Sequence, residues 1–313
     1  MKTDRTKTTT NSTVQSLVIA SLLTAAFYSN DAAADTIYVA NAGANTIERF
    51  TPSGIGSTFV ITAPNPRGLA FDTAGNLYVS NFTDNQIIKV SPLGVSSVFA
   101  LTLSGGLEGL AFDAAGNLYG AGYANNTIQK FAPDGSASIF ASTGVVYPSG
   151  LAFDTAGNPY VASYGDDTIQ KFTPDGMRSL FADSSDGLDG PVGVVFDPAG
   201  NLYVANYDNN TIEKFTPGGI GSVFAASDLY QPSGLALDSD GYLYATNTLP
   251  LHYKIQKIAP DGTGSLFADD SDGLNVPTYI AIQVPEPSIL AMLTFCVPAF
   301  LGARRRNQMR SNP

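Results

Sequence analysis

One motif, written five times along the chain, restricts the fold more than any other feature. Gly68-Leu-Ala-Phe-Asp72 returns as Gly109-Leu-Ala-Phe-Asp113, Gly150-Leu-Ala-Phe-Asp154, Gly193-Val-Val-Phe-Asp197 and Gly234-Leu-Ala-Leu-Asp238, at spacings of 41, 41, 43 and 41 residues. A turn follows each copy, Thr73-Ala-Gly-Asn76 in the first. Then comes an apolar run holding one tyrosine, in turn Tyr38, Tyr78, Tyr119, Tyr160, Tyr203 and Tyr244. A third run, such as Asn126-Thr-Ile-Gln-Lys-Phe131, and a fourth of the form Ser-x-Phe (Phe59, Phe99, Phe140, Phe181, Phe224, Phe267) complete the period. Four short strands separated by Asp/Gly/Asn turns in about 41 residues predict one β-propeller blade per period.

The ends of the array complement one another. Six tyrosine strands are preceded by only five first strands, because the array opens at Thr36-Ile-Tyr-Val-Ala40. The missing partner stands at the far end, where Tyr279-Ile-Ala-Ile-Gln283 aligns with Gly234-Leu-Ala-Leu-Asp238. The expectation is an all-β, six-bladed propeller of four-stranded blades over residues 35–283. Its N- and C-terminal strands share one blade, so that no sheet edge is left open at the join. Asp72, Asp113, Asp154, Asp197 and Asp238 open Asp-x-x-Gly turns, where a carboxylate accepts backbone N–H groups; this reads all five as turn residues, not as acid catalysts. The Phe and Tyr residues at period-two positions read as core.

Composition narrows the chemistry. The 313 residues include one cysteine, Cys296, and one histidine, His252, which excludes a disulfide framework and a cysteine metal site. Residues 35–283 carry 24 acidic and 9 basic side chains, a net charge of −15. Such a body repels nucleic acid and acidic polymers at low salt.

Both ends read as addresses. Lys2, Arg5 and Lys7 precede an uncharged stretch with an apolar centre at Val18–Phe27, and Ala32-Ala33-Ala34 supplies small residues before Asp35. Residues 1–34 are thus expected to be a secretory signal peptide. Residues 284–313 hold Pro285-Glu286-Pro287, a charge-free run from Ile289 to Ala303, and Arg304-Arg305-Arg306. That conjunction resembles the PEP-CTERM sorting signal of Gram-negative bacteria. The resemblance implies export, transient inner-membrane anchoring through the tail, and processing by an exosortase-type enzyme. It further implies a final place at the cell surface or in the extracellular matrix of cells that make exopolysaccharide. The alternative is a plain membrane anchor, with the basic end in the cytoplasm.

Between the two addresses, the pattern Pro-x-Gly-Leu-Ala-Phe-Asp-x-x-Gly-Asn-Leu-Tyr-Val-Ala-Asn, followed by Asn-x-Ile-x-Lys-Phe-x-Pro-x-Gly, resembles the NHL repeat. It is also similar to the repeats of the SMP-30/gluconolactonase and virginiamycin B lyase propellers. The resemblance spans residues 36–283 and speaks for fold more than for activity, because strand and turn residues carry it.

In a propeller the inner strand of each blade runs along the central bore, and ligands sit over a loop-lined mouth. One face is expected to gather Arg67, Glu108, Ser149, Val192, Ser233 and Thr278 from the inner strands. From the second strands it is expected to gather Asn41, Asn81, Gly120, Ser163, Asn206 and Asn247. Of these, Arg67, Glu108, Ser149, Ser163, Asn206, Ser233 and Asn247 form the candidate ligand site. Amides and hydroxyls there would hydrogen-bond a neutral polar ligand, a neutral glycan or a polar stretch of protein, without supplying a base, a nucleophile or a metal cage. The expected role is a non-catalytic binding or scaffold module with no cofactor.

The contrasting reading is a metal-dependent lactonase or lyase, which the resemblance makes available. It would need several carboxylates, whereas Glu108 is the only one at the inner strands, and Arg67 is placed to pair with it. A lyase would also need a histidine base, and His252 stands in a long loop, Asn247 to Tyr253. Two acidic loops, with Asp183, Asp186 and Asp189 and with Asp269, Asp270 and Asp272, are weak Ca²⁺ candidates lacking the spacing of an EF-hand.

Overall fold

The computed structural model describes residues 35–62, 64–103 and 105–284. The leader 1–34, and the sorting motif with Pro285, Glu286, Pro287 and Arg304–Arg306, lie outside them. Residues Asp35–Val284 form one unit of six four-stranded antiparallel sheets. Each sheet is a blade, with strands called inner, second, third and outer in order from the axis. Blade two shows the pattern with Pro66–Phe71, Leu77–Asn81, Gln86–Val90 and Ser96–Leu101. Blades three to six begin at the inner strands Leu107–Phe112, Pro148–Phe153, Pro191–Phe196 and Pro232–Leu237.

Blade one draws on both ends of the unit. Its inner strand is Pro277–Gln283, and its other strands are Thr36–Asn41, Thr46–Phe50 and Gly56–Ile61. Ile37 pairs with Ile282 and Val39 with Ile280, so the last strand closes the ring against the first. Without this pairing the edge of Thr36–Asn41 would present unpaired backbone groups.

The core lies between blades. Six apolar clusters each join two neighbours, as Tyr78, Ile87, Ala100 and Phe131 do for blades two and three. Every second-strand tyrosine enters such a seam: Tyr78 meets its own outer-strand Phe99 edge-on at 4.9 Å and Phe112 of the next blade at 5.0 Å. Edge-to-face contact sets the positive ring rim against a negative face. Lys89 caps the same tyrosine at 5.1 Å and ion-pairs with Asp72 at 3.4 Å. The Asp–Lys–Tyr set recurs in blades three to six.

The Asp-x-x-Gly turns form as the sequence predicts. Asp72 Oδ1 accepts the N–H groups of Ala74 and Asn76, and Gly75, at φ +76°, closes the turn where a side chain would be strained. The glycine that opens each motif serves a different need. A Cβ on Gly193 would lie 2.0 Å from the carbonyl oxygen of Ser233, and one on Gly150 would lie 2.2 Å from that of Val192. At these positions neighbouring inner strands approach so closely that a Cβ would meet backbone.

Candidate functional site

The bore opens on one face into a cavity of about 310 Å³, lined by Arg67, Phe82, Glu108, Tyr123, Ser149, Tyr164, Val192, Tyr207 and Ser233. Arg67, Glu108, Ser149, Val192 and Ser233 are the second residues of five inner strands. Phe82, Tyr123, Tyr164 and Tyr207 immediately follow the second strands of blades two to five. They stand at one register, spaced 41, 41 and 43 residues apart. Blades one and six have Ala42 and Thr248 there, so the aromatic wall covers four blades and is interrupted over two.

The four rings are fixed by their surroundings. Tyr123 stacks on Tyr147 at 5.1 Å, and Tyr164 meets Tyr207 edge-on at 6.3 Å. Tyr207 donates its hydroxyl to Gln231 Oε1 at 3.1 Å. Burial and the adjoining Asp208 carboxylate push the Tyr164 hydroxyl up to about 12. The Arg67 guanidinium lies 5.6 Å above the Phe82 ring.

The charged pair expected at the inner strands is present. Arg67 Nη1 lies 3.6 Å from Glu108 Oε2. Glu108 is 9% exposed, and loss of hydration raises its pKa, opposed by the Arg67 charge. Ser149 also lines the wall, while its hydroxyl donates to the carbonyls of Pro191 and Val192.

The other three candidates occupy a different place. Asn206 is fully buried; its amide donates to the Gly187 carbonyl at 2.8 Å and accepts the Asp189 N–H at 3.3 Å. Asn247 accepts the Tyr230 N–H at 2.6 Å, and the Ser163 hydroxyl accepts the Val146 N–H at 2.7 Å. Asn41 makes the same kind of contact with Gly273 and Asn275. The loop entering an inner strand has backbone groups without a sheet partner, and one side chain at the end of the same blade's second strand satisfies them. Thr278 is likewise buried and donates to backbone carbonyls. Gly120, aligned by sequence with Asn81, is displaced by two residues: the strand Leu118–Gly122 places Gly122 at that register.

Sequence reasoning missed the aromatic wall. Its signal was legible, since Phe82, Tyr123, Tyr164 and Tyr207 each follow a Leu/Pro-Tyr strand by the same offset. The strand tyrosines, which are core, recur in all six blades and give the stronger periodic signal, whereas these loop aromatics recur in four.

His252 lies away from the bore. It stacks on Tyr230 at 4.3 Å, beside a larger hollow of about 500 Å³. That hollow is lined by blade six and the loop leading into it, with Asp228, Lys254 and Gln256 among its walls. The bore cavity is the better candidate because five blades converge on it. In the acidic loops, Asp183 and Asp269 cap single helical turns: Asp183 Oδ1 accepts Ser185 N–H, and Asp186 accepts Asp183 N–H. Among the described residues, no three His, Cys, Asp or Glu side chains converge as a metal site would require. With Glu108 the one carboxylate on its wall, and that held against Arg67, the bore cavity does not fit a catalytic divalent ion.

This architecture defines a six-bladed β-propeller with an aromatic-walled cavity at one end of its bore. Residues 188–215 match the NHL repeat, so the chain carries that repeat in its fifth blade. Among curated proteins none matches. The fold is similar to one in a crystal structure of a nidogen/laminin complex, with 22% identity, a TM-score of 0.70, and coverage of 79% of this chain and 98% of that one. It is also similar to virginiamycin B lyase from Staphylococcus aureus (16%, TM-score 0.59, 74% and 80% covered). A gluconolactonase from Xanthomonas campestris shares it as well (18%, TM-score 0.59, 79% and 86% covered). At these identities the likeness concerns the fold.

Proposed function

We propose that this protein is an exported, non-catalytic recognition propeller, delivered to the cell surface or extracellular matrix, whose bore cavity binds a neutral glycan. The observation that carries this reading is the aromatic wall: Phe82, Tyr123, Tyr164 and Tyr207 line the cavity together with the polar Arg67, Glu108, Ser149 and Ser233. A pyranose ring presents apolar C–H faces to aromatic rings and hydroxyls to polar neighbours, and this cavity offers both surfaces. The single carboxylate on the wall is held against Arg67, so the site has little net charge for an ionic ligand to answer. The net charge of −15 on the body weighs against acidic polysaccharides.

A neutral-glycan array probed with the full-length protein tests the reading. Binding is expected, and Tyr123→Ala should weaken it by about tenfold, roughly 1.4 kcal/mol, without moving the melting temperature. Binding to a matrix protein but to no glycan would replace this reading with a protein-recognition one. Metal-dependent lactone hydrolysis that disappears in Glu108→Gln would replace it with an enzyme.

A further inference from the structure

The inner strand of blade one departs from the repeat most sharply where the motif opens. Where blades two to six carry Gly68, Gly109, Gly150, Gly193 and Gly234, blade one carries Tyr279. Tyr279 is 8% exposed and belongs to the apolar cluster joining blades one and two. Val192, from the inner strand of blade five, packs against that same cluster. Blade five adjoins neither blade one nor blade two, so this contact crosses the bore. Val192 is also on the wall of the cavity, so the crossing adjoins it.

The hydroxyl of Tyr279 is enclosed and has no hydrogen-bond partner among the described residues. Burial pushes its pKa well above the usual tyrosine range, and the charges of Glu108 and Arg67 both act on it. A buried phenol ring thus stands among the inner strands, coupled to the Glu108 and Arg67 of the cavity, where the repeat would leave a hydrogen atom. At about 310 Å³ the cavity is near the lower end of ligand sites, ~300–1,000 Å³, which suits one sugar ring better than several.

Resting on the glycan reading above, we infer that Tyr279 makes the cavity blind, so that it receives the end of a glycan chain and not its interior. A sugar unit seated as deep as Glu108 has aromatic rings at its sides and Tyr279 below. Its neighbours in a polymer can leave only through the mouth. An internal unit, with a neighbour on either side, would need a second exit, and the bore would supply one were Tyr279 a glycine.

The experiment titrates the full-length protein with each linear neutral oligosaccharide bound on an array and with the same oligosaccharide chemically blocked at both ends. The wild-type protein is expected to bind the free chain at least about tenfold more tightly. In Tyr279→Gly this preference should fall to about threefold or less, while Tyr279→Phe, which keeps the ring, should retain it. Should Tyr279→Gly fail to fold, Tyr279→Ser and the wild-type comparison carry the test. Equal binding of free and blocked chains by the wild type, or an undiminished preference in the small-residue variants, would overturn the inference and leave glycan recognition standing. Binding to no glycan at all would overturn both.

Discussion

Glu108 shows how one residue couples the site to the stability of the ring. Burial raises the pKa of its carboxyl, so the native chain holds this proton to higher pH than the unfolded chain does. Between the two pKa values the native state binds more protons; stability therefore falls as pH rises through that window and stays lower above it. Glu108→Gln removes the titration. Its melting temperature should exceed that of the wild type at pH 7 to 8, and the difference should shrink towards pH ~4, as the wild-type carboxyl becomes protonated in the native and the unfolded state alike. A difference that did not change with pH would show that the carboxyl is not destabilised in the fold. Asp72, Asp154 and Asp197 behave oppositely. Burial pushes them up, but hydrogen bonds from Asn76, Asn158 and Asn201, aided by Lys89, Lys171 and Lys214, outweigh it and hold them below the ordinary carboxylate range. Their contribution is present at neutral pH and is lost as acid protonates them. All five Asp-x-x-Gly turns, those of Asp113 and Asp238 included, are readable from sequence because each is closed by its own residues. Asn206 was misplaced, at the mouth of the bore, because its partners, Gly187 and Asp189, lie in a loop 17 to 19 residues away.

At the scale of the blade, the motif glycines decide how closely sheets approach. The Cβ of Gly193→Ala would meet a backbone oxygen, which has no rotamer by which to yield. The substitution is expected to cost about 1–3 kcal/mol, read as a lower urea midpoint. Gly218→Ala is the control, since a Cβ there has only a side-chain atom at 3.8 Å as a neighbour. Equal midpoints for the two variants would refute the close-approach account. Strand order and core alternation were legible in the 41-residue period, for the hydrogen-bonding neighbours within a blade are neighbours in sequence. The aromatic wall was legible in principle, as a column of residues at one register. Its meaning required knowing that the residue after each second strand turns over the mouth of the bore.

The whole molecule depends on one long-range pairing. Ile37 and Ile282 are 245 residues apart and face each other across the closing sheet. A chain ending at Val284 is expected to melt in one cooperative transition. A chain ending at Val276, which lacks the inner strand of blade one, should lose that cooperativity or melt well below it, because Tyr38, Ala40 and Leu69 lose the packing of Tyr279 and the edge of Thr36–Asn41 opens. Identical transitions for the two chains would show that the ring does not need its clasp.

The sequence by itself determined the number of blades, the strand order, the shared blade and the ion pair between Arg67 and Glu108, because each is repeated or set by residues at matching registers. Tertiary structure alone decided which polar side chains face the bore and which are taken by neighbouring loops. It also decided that His252 stands apart from the cavity and that Tyr279 lies across the axis from Val192. The physical reason is distance: Asn206 lies 17 to 19 residues from its loop partners and Tyr279 lies in a different blade from Val192, so only the folded blade and the closed ring bring them within reach of one another.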